Sequence, residues 1–227
     1  MSKIPQNLQT IGAEIAQYSE RYHRPAHSVR LLAVSKRHPA DAIREAYDCG
    51  QRAFGENYAQ EMLEKAEELS ALEIEWHFIG PLQSNKTKDV AATAHWVHAI
   101  DRLKIARRLS EQRPSDLPAL KVCLQVNVND EASKSGVSVA ELPELAAQVS
   151  ELPGIKLRGL MAIPEATHDP VQQRANFAIL AKAQADLNAA GYDLDTLSMG
   201  MSDDMEAAIA EGATMVRIGT AIFGARN

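Results

Sequence analysis

The sequence predicts a single (β/α)8 barrel, the TIM-barrel fold, with one extra helix at the N-terminal end. Short apolar segments alternate with amphipathic helical segments, and no two apolar segments are joined by a hairpin signal. Strands separated by helices are connected by crossovers and therefore pair in parallel. Eight such units in 227 residues fit one barrel, so a single domain over residues 1–227 is expected.

The strands are short apolar runs bounded by turn residues. They are predicted, in order, over residues 29–34, 52–55, 75–79, 96–100, 120–128, 156–163, 196–199 and 215–218. The first strand leads directly into Lys36, and the third stops at Gly80 and Pro81. A doubly wound open sheet is the alternative, but the glycine fingerprint G-x-G-x-x-G is missing after the first strand.

Amphipathic patterns place one helix before the first strand and one after each of the first seven strands. These helices are predicted over residues 7–22, 39–49, 59–69, 84–94, 102–112, 139–152, 170–190 and 203–211. Pro39 begins the second helix and Gly50 follows its end, which is the usual asymmetry between helix ends. Little chain follows the last strand, so the opening helix is expected to cover that strand.

Composition argues against several classes of protein. The net charge is −6 and the basic residues are interleaved with acids, which disfavours nucleic-acid and membrane-surface partners. No run reaches the roughly 18 apolar residues of a membrane span, and the start of the chain lacks a signal peptide. Cys49 and Cys123 form no CxxC pair and are predicted to be core residues. His95 and His98 lack carboxylate or cysteine companions, so no metal site is expected. A cytoplasmic protein is predicted.

Lys36 is the most informative residue of the chain. It directly follows the apolar segment 31–34, where a strongly hydrated ammonium group is unexpected. In a barrel, the C-terminal ends of the strands carry the chemistry. A desolvated lysine there can lose its proton and condense with a carbonyl group, either of a substrate or of pyridoxal phosphate (PLP). A lysine that only extends to solvent is the alternative for Lys36 taken alone.

The ends of strands seven and eight provide a second signal. Ser202 is predicted to cap the following helix, so that its hydroxyl and the first-turn amides form an anion site. After strand eight, Gly219 allows close approach of the backbone and Thr220 adds a hydroxyl. Barrels usually bind phosphate at these two loops. A capped helix and a tight turn would explain each loop alone. Both loops together, opposite Lys36, favour PLP.

Six segments of the chain resemble the PLP homeostasis protein family. They are AVSK (33–36), FGENY (54–58), WHFIGPLQSNK (76–86), GLM (159–161), SMGMSDD (198–204) and RIGTAIFG (217–224). These segments occur in order over nearly the whole chain. The resemblance implies the barrel of the alanine racemase N-terminal domain, with PLP (vitamin B6) as its cofactor. It also implies a role in regulating the supply of that cofactor rather than in turnover.

The resemblance further implies roles for individual residues. Lys36 would hold PLP as a Schiff base, Arg217 would face the pyridine nitrogen, and Asn57 would lie against the ring. Three residues would hold the phosphate group: Ser202, Gly219 and Thr220. A monomer is expected, because the resemblance does not extend to the C-terminal domain through which alanine racemases dimerise. PLP-dependent apoenzymes are candidate partners.

The chemistry of Arg217 favours binding without substantial turnover, but it does not exclude catalysis by itself, because the alanine racemases that the site resembles also use arginine there. PLP stabilises carbanions best when Asp or Glu protonates its pyridine nitrogen, whereas arginine only donates a hydrogen bond. A racemase also needs a second base, which the resemblance places on a separate domain of alanine racemase. A weak amino-acid racemase using His77 or Tyr58 as that base is the first alternative. The second alternative is a Schiff-base aldolase whose phosphate site binds the substrate.

Other polar residues carry open alternatives. Gln125 and Asn127 lie on one face of strand five, so that they either face the barrel mouth or bond to each other. Lys134 is either a second, transient PLP contact or a solvated loop lysine. The acidic segment 61–68 is expected to be the solvated face of a helix.

Overall fold

Eight parallel strands close into a barrel in chain order in the computed structural model, which describes residues 2–129 and 135–225. The strands are β1 (Arg30–Val34), β2 (Ala53–Glu56), β3 (Glu75–Phe78), β4 (Trp96–Ile100), β5 (Leu120–Gln125), β6 (Ile155–Met161), β7 (Thr196–Ser198) and β8 (Met215–Ile218). β1 pairs with both β2 and β8, so the sheet has no edge. The predicted (β/α)8 barrel is confirmed, and the open-sheet alternative is wrong.

Helices surround the strands. They are α1 (Ile4–Arg21), α2 (Ala40–Asp48), α3 (Ala59–Glu68), α4 (Thr87–Thr93), α5 (Leu103–Gln112), α6 (Leu142–Ser150), α7 (Pro170–Ala189), α8 (Met205–Ala210) and α9 (Thr220–Phe223). Among the described residues, no helix is both long enough and apolar enough to span a membrane.

The opening helix covers the barrel where the last helix is short. α1 packs against α2, α8 and α9. The side-chain amide of Asn7 donates to the carbonyl oxygen of Ile222 in α9 at 2.8 Å. Just beyond the other end of α1, Arg24 donates to the carbonyl oxygen of Ile209 in α8 at 3.0 Å. The opening helix therefore packs against the helices on either side of the short last helix, whereas no extensive contact with β8 itself is found among the described residues.

Two elements near the barrel mouth are shorter than predicted. β5 ends at Gln125, after which Val126 makes only an isolated bridge to Val137. α8 begins at Met205, and its N-cap residue is Asp204. The predicted cap by Ser202 is therefore wrong. A side-chain oxygen of Asp204 accepts a hydrogen bond from the backbone N–H of Met201 at 2.6 Å, which holds this segment as a turn before the helix.

Alternate strand residues point into the barrel and form an interior separate from the core between strands and helices. Two small apolar clusters fill this interior: Leu32, Val34, Ala53, Ile79 and Met215 in one, and Trp96, Ala99, Cys123 and Met161 in the other. Cys123 is buried as predicted, but Cys49 is exposed at the end of α2, so its assignment to the core is wrong.

Candidate functional site

The C-terminal ends of β1, β2, β7 and β8 surround a cavity of about 510 Å³. All of the residues predicted as a site from the sequence line it: Lys36, Asn57, Ser202, Arg217, Gly219 and Thr220. Apolar side chains, among them Val34, Ile79 and Ile163, complete the wall. A cavity of this size, mostly apolar with a few convergent polar groups, is typical of a site for a cofactor-sized ligand.

Lys36 lies half-buried in the turn that follows β1. The backbone N–H of Ser35 donates to Gly55 at 3.0 Å, and that of His38 donates back to Ser35 at 3.0 Å. Arg37 has a φ of +61°, a left-handed conformation that is uncommon for a residue with a side chain. The turn is therefore tightly constrained on both sides of Lys36.

A buried ammonium group supports this turn from outside the barrel wall. In α3, Lys65 Nζ donates to the carbonyl oxygen of Ser35 at 2.8 Å and to Oε1 of Glu56 and of Glu61 at 2.7 Å each. Glu61 Oε1 also accepts from the backbone N–H of Arg37 at 2.5 Å. Burial raises the pKa of Glu56 to about 7, although the Lys65 charge opposes this shift. The prediction of a simply solvated helix face is wrong at Lys65, which is buried.

The wall on the β8 side of Lys36 contains the hydroxyl-bearing loops. Gly219 and Thr220 lie where β8 turns into α9, and Ser202 lies in the turn after β7. A Cβ at residue 219 would lie 3.1 Å from the carbonyl oxygen of Val34, so glycine lets this loop approach β1 closely. The carboxylate-bearing Asp203 lines the same wall.

Arg217 reaches the cavity from inside the barrel and is only 5% exposed. Its NH1 group donates to the backbone oxygen and the hydroxyl of Ser198 at 2.5 and 2.9 Å. Its NH2 group donates to the carbonyl oxygen of Ala162 at 2.9 Å. Burial lowers the pKa of Arg217 to about 10, which still leaves it charged at neutral pH. The guanidinium retains further N–H groups that these bonds do not use.

Asn57 follows β2 and lies between this cavity and a neighbouring one of about 460 Å³. Its side-chain oxygen is buried and has no hydrogen-bond partner among the described residues. Gly80 packs on its backbone, where a Cβ would lie 2.2 Å from the Asn57 carbonyl oxygen. Buried polar atoms are nearly always paired, and this oxygen is an exception beside the two cavities.

The two alternative bases do not line the Lys36 cavity. His77 is fully buried, and both of its ring nitrogens lie in hydrogen bonds with Glu75 and His98. Tyr58 lines the neighbouring cavity, and its hydroxyl oxygen accepts from Arg37 NH2 at 3.1 Å.

The remaining sequence candidates lie away from the cavity or outside the described residues. Gln125 donates to the carbonyl oxygen of Ser135 at 3.1 Å, in the loop that follows β5. Lys134 lies outside the described residues. Across residues 2–129 and 135–225, no group of three or more His, Cys, Asp or Glu side chains is placed to hold a metal ion.

A chain of buried polar side chains, which was not predicted from the sequence, lies inside the barrel. Glu75 Oε1 lies 2.8 Å from His77 Nε2, and His77 Nδ1 lies 2.9 Å from His98 Nε2. His98 Nδ1 lies 2.8 Å from Ser198 Oγ, which accepts from Arg217 NH1. We call these five residues the interior chain. Several of the apolar strands carry a polar residue at an inward position, and this pattern in the sequence could have indicated the chain.

Comparisons with known proteins agree with this geometry. The sequence matches the family model for the alanine racemase N-terminal domain over residues 6–227. The pyridoxal phosphate homeostasis protein of Pseudomonas aeruginosa is 58% identical over 227 residues, which are 100% of this chain and 97% of that protein. The chain belongs to the pyridoxal phosphate homeostasis protein family. The family member from Escherichia coli K12 is 55% identical over 230 residues, covering 100% of this chain and 98% of that protein.

Solved structures of related proteins share the barrel. PipY of Synechococcus elongatus PCC7942 with PLP bound has a TM-score of 0.81 and 41% identity, covering 92% of this chain and 100% of that chain. The PipY structure without PLP has a TM-score of 0.87 at 38% identity, covering 97% of this chain and 100% of that chain. An alanine racemase of Clostridium difficile 630 aligns with a TM-score of 0.70 at 16% identity, covering 96% of this chain and 56% of that one. That last likeness concerns the fold alone.

Proposed function

We propose that the protein binds PLP in the Lys36 cavity and serves intracellular PLP homeostasis without substantial turnover. The observation that carries this proposal is that Lys36, Arg217 and the hydroxyl-bearing loops of Ser202 and Thr220 line one cavity. The PLP-bound structure of PipY, at 41% identity, supports the choice of cofactor. The names of the curated relatives support the role in homeostasis.

The residues that line the cavity match the chemical groups of PLP. The Lys36 amine would condense with the aldehyde group to form a Schiff base, with release of water. The hydroxyls of Ser202 and Thr220, with the close-packed backbone at Gly219, would hold the phosphate. Arg217 would donate to the pyridine nitrogen. Asn57, which lines the cavity, would lie against the ring of the bound cofactor.

Two features of the site support holding the cofactor rather than catalysis. Bound PLP supplies an electron sink that is strongest when its ring nitrogen is protonated. Arg217, charged at neutral pH, would donate a hydrogen bond to that nitrogen without giving up its proton. The second feature is that neither His77 nor Tyr58, the two candidate second bases, lines the cavity.

The absorption spectrum of the purified protein with added PLP tests this proposal. Wild type is expected to show the visible band of a Schiff base, and Lys36→Ala is expected to lose it. Lys86→Ala is the matched control, because Lys86 lines the neighbouring cavity, and it should keep the band. A colourless wild type would refute the PLP assignment and favour the aldolase.

Incubation of the PLP-loaded protein with L- and D-alanine, followed by chiral chromatography, tests the absence of turnover. Unchanged enantiomers are expected. Racemisation that depends on Lys36 would show that the protein is a small PLP enzyme.

The proposal retains a cytoplasmic monomer, with PLP-dependent apoenzymes as candidate recipients of the cofactor. The net charge of −6 and the interleaved basic residues support the absence of nucleic-acid partners. Light scattering coupled to size-exclusion chromatography would measure the oligomeric state with and without PLP. Reactivation of a PLP-free enzyme by the loaded protein, compared with an equal amount of free PLP, would measure delivery.

A further inference from the structure

The interior chain connects the two ends of the barrel. Glu75 is the first residue of β3 and therefore lies at the N-terminal end of the strands. There it accepts a hydrogen bond from Arg30 at 2.7 Å, and Lys121 Nζ lies 3.7 Å from its other oxygen. Arg217, at the other end of the chain, lines the Lys36 cavity. A charged group remote from the cavity is thus linked to a charged group within it.

The negative charge of Glu75 determines which atom carries the hydrogen in the first hydrogen bond of the interior chain. Burial raises the pKa of Glu75, but the hydrogen bond from His77 and the nearby positive charge of Arg30 outweigh this and hold it well below its usual range. Glu75 is therefore a carboxylate and only accepts hydrogen bonds. The hydrogen at this contact must then be carried by His77 Nε2.

The remaining hydrogen bonds follow in one direction. Burial lowers the pKa of His77 to about 4 and that of His98 well below its usual value, so both rings are neutral. His77 Nδ1 then accepts from His98 Nε2, and His98 Nδ1 accepts from the Ser198 hydroxyl. The Ser198 oxygen in turn accepts from Arg217. Every donor in the chain points away from the cavity and towards Glu75.

Arg217 needs such a connection because it is a buried cation. Its own hydrogen bonds go to two carbonyl oxygens and a hydroxyl, and within the described part of the chain it forms no ion pair with a carboxylate. A buried charge without compensation is costly. Other ionisable groups near the chain are Arg30, His95, Cys123 and Asp204. None of these four is hydrogen-bonded to Arg217, although the negative charge of Asp204 acts on it through space and partly compensates its charge.

We propose that Glu75 acts as a second, remote counter-charge of Arg217 besides Asp204, and that it orients the guanidinium through His77, His98 and Ser198. Glu75 and the three linking residues are positioning residues, because none of them lines the cavity. The chain occupies one side of the guanidinium and leaves the remaining N–H groups for the cavity. The consequence at the cofactor rests on the proposed PLP function: Arg217 held in this way offers the ring nitrogen a hydrogen bond and keeps its own proton.

Nitrogen-15 NMR of the cofactor-free protein tests the direction of the chain. Two imidazoles, assigned with His77→Gln and His98→Gln, are expected to be neutral and protonated on Nε2 throughout about pH 5.5 to 8. A proton on Nδ1 of either ring, or titration near the usual histidine pKa, would overturn the proposal. This measurement needs no PLP, so it tests the hydrogen-bond direction of the interior chain even if the protein does not bind the cofactor. A colourless protein would refute only the proposed function.

A double-mutant cycle on the PLP-loaded protein tests the effect on the cofactor. Glu75→Gln is isosteric and removes the charge, so it should lower the midpoint of the pH titration of the visible band by about half a pH unit. Ser198→Ala interrupts the chain without changing any charge. In that background the shift caused by Glu75→Gln should fall to about half or less. No shift, or an equal shift in both backgrounds, would show that the chain does not carry the effect.

Discussion

Replacing Lys65 by Met should strongly destabilise the protein, because it leaves a buried carboxylate without its partner. The Lys65 and Glu56 side chains are 8% and 0% exposed, and their charged atoms lie 2.7 Å apart. Removing one partner of a buried ion pair costs about 3–5 kcal/mol. Met keeps most of the aliphatic stem of Lys65, so the loss reports on the charge and its hydrogen bonds rather than on packing. A total stability of about 5–15 kcal/mol would be reduced substantially.

The loss of unfolding free energy caused by Lys65→Met should grow as the pH rises. Glu56 Oε2 is buried and has no hydrogen-bond partner among the described residues, and burial raises the pKa of this carboxyl to about 7. Without Lys65 the pKa rises further. A carboxyl whose pKa is higher in the folded state loses stability as the pH rises from its unfolded value through its folded value. The difference in unfolding free energy between the variant and wild type should therefore be smallest near pH 5 and largest near about pH 8.

Urea unfolding, followed by the fluorescence of the buried residues Trp76 and Trp96, measures these free energies. The control is the double variant Lys65→Met with Glu56→Gln, in which the uncompensated charge is also removed. It should recover a large part of the loss. A cost below about 1 kcal/mol for Lys65→Met, as for a surface pair, would refute the reasoning. So would a double variant whose cost equals the sum of the two single costs.

Two further predictions concern the cavity wall and the barrel interior. Gly219→Ala places a Cβ 3.1 Å from the Val34 carbonyl oxygen. It should weaken PLP binding about tenfold in a fluorescence titration, and unchanged affinity would contradict the proposed phosphate wall. The pKa of His77 is lowered from 6.5 to about 4 by burial, so the stability it contributes above pH 6.5 is lost as the pH falls towards 4. In urea unfolding His77→Gln should flatten this dependence, and an unchanged slope would count against a buried neutral ring.

Several residues of the candidate cavity could be predicted from the sequence, because in this topology a residue that directly follows a strand lies at the mouth of the barrel. In a closed parallel barrel the C-terminal ends of all strands meet at one mouth. Lys36 follows β1, Asn57 follows β2, and Gly219 follows β8, so recognising the strands was enough to bring them together. No knowledge of helix packing was needed. Arg217 lies within β8 rather than after it, and only the family resemblance assigned it to the site.

Contacts that depend on how helices pack onto strands could not be predicted in this way. Lys65 belongs to an acidic segment whose composition is that of an exposed helix, yet the packing of α3 on the barrel buries it against Glu56. Ser202 was assigned as a cap from its residue type, but the helix begins only after Asp204, whose carboxylate accepts from the Met201 N–H in the preceding turn and not from an N–H of the helix. Both outcomes depend on distances of a few ångströms that residue spacing does not specify.

The two polar networks reach the cavity from different layers and share no residue. One lies between the barrel wall and α3 and constrains the backbone around Lys36. The other crosses the interior and holds Arg217. The aldehyde and the ring nitrogen of PLP stand at opposite positions of one rigid ring, so fixing Lys36 and Arg217 independently would fix the axis of that ring, and the contacts of its phosphate would then fix its plane. Such a site would hold its ligand by positioning alone, without a second base, which agrees with the proposed binding of PLP without substantial turnover.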